Sequence, residues 1–222
     1  MSAPEASQAF LDKLRAHWPE WGVAEAFLPA AQRECALAWL ALRGELLDAA
    51  WGGEDPTPGA AKLDWWMDEL HGWSRGARRH PLGLLLQKQP VDWQALAMGI
   101  PALRSQRMPE SDRHAALDTL APFAQALAAL SAQVFAATPA STGATADALL
   151  AEWVLHLPER GIPATGTDIP SLLALPPLRD GARVERIHAA LVRGRLRRAL
   201  RGQPGPVPAV TALLAAWRSA RG

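Results

Sequence analysis

Ala-Ala-Lys-Leu-Asp-Trp-Trp-Met-Asp-Glu-Leu-His-Gly-Trp-Ser-Arg, residues 60–75, is the stretch that sets the fold class. Leu63, Trp66, Met67, Leu70 and Trp73 recur at three- and four-residue steps and share one side of a helix. Asp64, Asp68, His71 and Arg75 take the other side. Upstream, Leu37, Leu40, Ala41, Gly44, Leu47 and Trp51 keep the same period, which predicts one long helix over 30–51. Gly52-Gly53 stops it, and Asp55-Pro56-Thr57-Pro58-Gly59 reads as a loop. Further back, Phe10, Leu11 and Leu14 mark a helix over 5–17 that Trp18-Pro19 ends, and a short segment follows at 20–28.

Downstream, His80-Pro81 is a break before a helical start at 82–87. Helices are predicted at 91–104, 111–137 and 144–157, with Ser111 and Asp112 as the N-cap of the second. Residues 158–178 change character: Pro158, Gly161, Pro163, Gly166, Pro170, Pro176 and Pro177 make an irregular connection, with one helical turn at 170–174. Helices resume at 179–201 and 206–220. No segment alternates with period two, so the chain reads as all-α. One domain over 1–222 is expected, because the roughly 45 residues beyond the proline-rich stretch are too few to fold securely alone.

Composition narrows the classes. The 222 residues are 49% hydrophobic and 20% charged, with a formal net charge of +1, so the chain is globular and has no overall field for nucleic acid. A single cysteine, Cys35, excludes an internal disulfide and reads as a helix-borne core thiol. The start, Met-Ser-Ala-Pro-Glu, lacks the basic and apolar pattern of a secretory signal. The longest mildly apolar run, Leu117–Ala137, is interrupted by Asp118, Gln125 and Gln133, short of an uninterrupted membrane span of roughly 18–20 residues. A cytoplasmic location is expected. The six histidines have no zinc-type spacing, and no Gly-x-Ser-x-Gly is present.

Residues 27–87 carry a family pattern. Phe27-Leu28-Pro29 with Arg33 precedes a helix holding Arg43, Glu45 and Asp48; then come Leu63-Asp64-Trp65-Trp66-Met67-Asp68-Glu69-Leu70 and His80-Pro81-Leu82. In this order the block resembles the squalene/phytoene synthases. The resemblance implies a bundle of the isoprenoid synthase type, here shortened. It also implies two aspartate-rich helices, whose carboxylates hold magnesium against a prenyl diphosphate. Hard Mg²⁺ needs such oxygen ligands, and carboxylates three or four residues apart share a helix face. The chain departs from the family here. Only Glu45 and Asp48 stand at the first acidic position, and the helix over 144–157 has no aspartate pair. Phe123 stands where the family's tyrosine-bearing helix is matched, and it has no hydroxyl. One Glu before a Trp-rich helix is also similar to the complex I assembly-factor branch of the family.

The expectation is therefore a catalytically degenerate member that binds a protein partner or an apolar ligand, without cofactor or metal. The alternative is an active prenyl transferase joining two prenyl diphosphates, with Glu45 and Asp48 as magnesium ligands. Arg43, Trp65, Trp66, Glu69 and His80 are the cleft candidates. Asp64, Asp68 and Glu69 also read as the solvated face of their helix, with Trp66 in the core. Arg186, Arg193, Arg197 and Arg201 fall on one helical stripe, opposite Ile187, Leu191 and Leu200. Such a stripe suits phosphate or a membrane surface better than nucleic acid, since no aromatic side chain interrupts it for base stacking.

Overall fold

The computed structural model describes residues 3–107, 112–158 and 169–221, and all regular structure among them is helical. Among the described residues eleven α-helices follow one another: α1 Ala3–His17, α2 Trp21–Ala24, α3 Arg33–Trp51, α4 Pro56–Ser74, α5 Gly83–Leu86, α6 Trp93–Ser105, α7 Arg113–Val134, α8 Thr142–His156, α9 Ile169–Ala174, α10 Arg183–Leu200 and α11 Ala209–Ala220. Short 3₁₀ turns at Glu25–Phe27 and Ala30–Gln32 link α2 to α3.

α3 is the axis. It packs against α1, α4, α5, α6 and α8, and 14 of its 19 residues are buried. A helix buried on nearly every side belongs in the middle of a bundle. One continuous core runs from Leu11 on α1 to Ala216 on α11, and it includes Trp21, Trp39, Trp51, Trp66, Trp73 and Trp93. The bundle is thus one all-α unit.

α4 begins four residues before the expected helix. The Asp55 carboxylate accepts the Thr57 N–H at 2.9 Å, and Pro56 takes the first helical position, where a missing N–H costs nothing. The Pro-Thr-Pro stretch is therefore a helix start. At Gly59 the helix nearly touches α3: a Cβ there would lie 2.1 Å from the Ala49 carbonyl oxygen. α7 is capped by Asp112, which accepts the Ala115 N–H at 2.9 Å; Ser111, expected to share that cap, lies outside the described residues. Gly99 on α6 lets the Phe123 backbone of α7 come close, at 2.9 Å from an added Cβ. Of the irregular connection, 159–168 lie outside the described residues, and the turn expected at 170–174 is α9.

By length and composition one described helix, Arg113–Val134, could cross a membrane, with a mean hydropathy of 1.2. More than half of that window is buried against the rest of the bundle, and α7 packs between α6 and α8.

Candidate functional site

Glu45 and Asp48 do line one recess, as their three-residue spacing requires. Lys13 and His17 of α1 and Glu152 and His156 of α8 close it. The recess holds about 40 Å³, room for a water or two. Ligand pockets generally need roughly 300–1,000 Å³. Both Glu45 oxygens are taken: Lys13 Nζ lies 2.5 Å from Oε1, and Lys62 Nζ lies 2.6 Å from Oε2. Burial pushes the Glu45 carboxyl up, but the two ammonium groups outweigh it and hold it below the usual range. Lys13 lies 3.8 Å from Asp48. Burial raises the Asp48 pKa despite the pull of His156, His17 and Lys13.

Arg43, expected in a cleft, is a core residue at 4% exposure. Its Nη1 donates to Glu185 Oε2 at 2.5 Å, and its Nη2 donates to Glu152 Oε2. Glu185 Oε1 accepts from Trp39 Nε1 at 2.6 Å, and His188 Nε2 lies 2.9 Å from Glu152 Oε1. A buried network thus joins α3, α8 and α10. Burial pushes Glu152 up, yet Arg43 and His188 hold it far below the ordinary carboxylate range. Burial works against the charge of Arg43, and Glu152 and Glu185 more than restore it. Glu152, Glu185 and His188 escaped the sequence reading. The available signal was a glutamate inside the apolar register Leu149-Leu150-Ala151-Glu152-Trp153-Val154, facing an arginine inside Leu40–Leu47.

Trp66 is fully buried, which fits the core reading and not the cleft it was also a candidate for. Glu69 corrects the expectation of a solvated face: only 1% of it is exposed. It accepts the N–H groups of Arg79 and His80, both at 2.7 Å, Trp73 Nε1 at 2.8 Å and Arg79 Nε at 3.0 Å. Burial raises its pKa, but these donors outweigh burial and hold the carboxyl below its usual range. The glutamate of the Trp-Trp-x-x-Glu-Leu run is therefore a clasp on the turn after α4. Next to it, His80 packs against Phe10, Trp65 and Trp66, with ring centroids 4.4, 5.8 and 4.5 Å away. Its Nδ1 accepts the Leu82 N–H at 3.2 Å, so the imidazole starts the His-Pro turn. Burial pushes His80 down to about 4. Trp65 is only partly buried, with the Arg79 guanidinium 5.3 Å over its ring. Asp64 lies on the surface and pairs with Arg104.

The four arginines of the expected stripe divide. Arg186 donates to the Gly181 carbonyl at 2.8 Å and the Ser219 carbonyl at 3.0 Å. Arg193 donates to the Leu172, Leu173 and Leu175 carbonyls at 2.7–3.1 Å, closing the end of α9. Arg186, Arg193 and Arg197 line a groove between α10 and α11; Arg201 follows the last residue of α10 and is not part of it. Ile187 and Leu191 are buried, whereas Leu200 is 54% exposed and so does not belong to the opposing apolar side.

Among the described residues no group of three or more His, Cys, Asp or Glu side chains is arranged to hold a metal ion. Compared with family models, with curated proteins and with solved structures, the chain matches none.

Proposed function

We propose that this chain is a catalytically degenerate relative of the squalene/phytoene synthases that works by binding rather than turnover, in the cytoplasm. One observation carries the reading: the glutamate at the first acidic position, Glu45, is already neutralised by cations of the same chain. Glu45 is held by Lys13 and Lys62, and Lys13 also lies 3.8 Å from Asp48. A magnesium ion needs free carboxylate oxygens, and recruiting Glu45 would break both of its lysine pairs. The small size of the recess points the same way, since a prenyl chain has no room there. The Trp65-Trp66 and His80-Pro81 block survives as scaffold: Trp66 fills the core, Glu69 clasps the turn and His80 starts the next helix.

The test is incubation of the purified protein with magnesium and farnesyl or geranylgeranyl diphosphate, with release of pyrophosphate as the readout. No release above the protein-free rate is expected. Release that disappears in Glu45→Ala and Asp48→Ala would establish the alternative, an active prenyl transferase.

A further inference from the structure

The near-zero net charge hides an asymmetry. From Arg186 onward the sequence holds eight arginines and no Asp or Glu, while the first 185 residues set 15 cations against 22 carboxylates. α10 and α11, which carry the eight or lie beside them, form an antiparallel pair: Arg186 at the start of α10 reaches the Ser219 carbonyl near the end of α11.

α11 is built inside out. Its small residues Ala212 and Ala216 are fully buried, whereas Val210, Leu213, Leu214 and Trp217 are 72, 42, 45 and 39% exposed. At 3.6 residues per turn these four side chains share one face, away from the alanines. An ordinary surface helix does the reverse. The Arg221 guanidinium sits 4.0 Å over the Trp217 ring. Along one flank runs the groove between α10 and α11, about 480 Å³, lined by Arg179, Arg186, Arg193, Arg197 and Arg218 and by no acidic side chain. Burial lowers the pKa values of Arg186 and Arg193; Arg183 adds to this at Arg186, where Asp180 partly offsets it, and Arg197 adds to it at Arg193.

We infer that this face docks on an anionic lipid bilayer. α11 lies in the plane of the interface, its four large apolar side chains reach the acyl boundary, and the arginine groove receives lipid phosphates. A second copy of the chain fits poorly, because a two-fold contact would set arginine groove against arginine groove. A convex ridge on a single helix needs a matching groove on a protein partner, but a fluid bilayer yields to it. The inference rests on α10 and α11 alone and stands whether or not the Glu45 recess is catalytic.

The experiment is co-sedimentation of the whole protein with two kinds of vesicle, phosphatidylcholine alone and phosphatidylcholine in which a third of the lipid is phosphatidylglycerol. Binding to the anionic vesicles only, weakened by added salt, is expected. Arg197→Gln and Arg218→Gln should each weaken partitioning about fivefold. Leu213→Ser with Trp217→Ser should weaken it at least about tenfold. All of these side chains are exposed or half-exposed, and unchanged helical circular dichroism and urea midpoints verify that the variants fold. Failure to bind either vesicle overturns the inference. So does equal binding to both, or a dimer in light scattering that the same substitutions abolish.

Discussion

Replacing Arg43 with methionine probes the load on the buried network. The guanidinium is 4% exposed and is shared by Glu152 and Glu185, themselves 4 and 7% exposed. Methionine fills much of the volume but leaves two buried carboxylates without the guanidinium, with His188 beside Glu152 and Trp39 donating to Glu185. Removing one partner from a buried pair costs about 3–5 kcal/mol, and that is the expected loss in urea unfolding at neutral pH. Glu152→Gln in the Arg43→Met background should recover about 1–3 kcal/mol, because it removes one stranded charge. The pH dependence has a fixed sign. Glu152 is depressed when folded, so its contribution is complete above the unfolded carboxylate value of about 4.3 and falls away as acid proceeds below it. Arg43→Met should flatten that acid limb. A loss below about 1 kcal/mol with the acid limb unchanged would refute the claim that the network is buried and charged.

Other sites give independent tests. Glu69→Ala should cost about 2–3 kcal/mol in urea unfolding, since its four donors, including two backbone N–H groups, lose a charged acceptor. His80 is held near 4, so it favours the fold above about 6.5 and its contribution drains away as pH falls toward 4. Allowing for solvent screening at this partly exposed ring, that amounts to about 1–2 kcal/mol, and His80→Asn should flatten the stability curve in the same window. Two glycine replacements have opposite signs. Gly59→Ala should destabilise by at least about 2 kcal/mol, because its Cβ meets a backbone carbonyl. Gly44→Ala on α3 meets nothing within 4 Å and should stabilise by about 0.5–1 kcal/mol, read by thermal unfolding.

The helices were legible because their apolar periodicity is strong and their ends carry punctuation. Pro19 ends the first near where α1 stops, and Asp112 caps α7. Asp55-Pro56 misled because the same residues that make turns also make helix starts, and only the Thr57 N–H bond to Asp55 distinguishes the two. The recess was legible in part. Glu45 and Asp48 share a face by spacing alone, but the lysines that neutralise Glu45 come from 32 and 17 residues away. Glu152, Glu185 and His188 meet Arg43 across separations of more than 100 residues or through a third helix, which no local pattern encodes. Glu69 looked solvated because Asp68 beside it belongs to the polar side; its burial depends on the chain turning back at Arg79 and His80. Arg193 illustrates the same limit: its stripe position says nothing of the α9 carbonyls it closes.

The proposal that Lys13 and Lys62 hold the carboxylate a magnesium ion would need is tested most directly by calorimetric titration of farnesyl diphosphate into the protein with and without magnesium. No magnesium-dependent binding heat is predicted, either for the natural sequence or for Glu45→Ala. Saturable binding that requires magnesium and is lost in Glu45→Ala would contradict the account, because it would show that Lys13 and Lys62 release Glu45 to a metal.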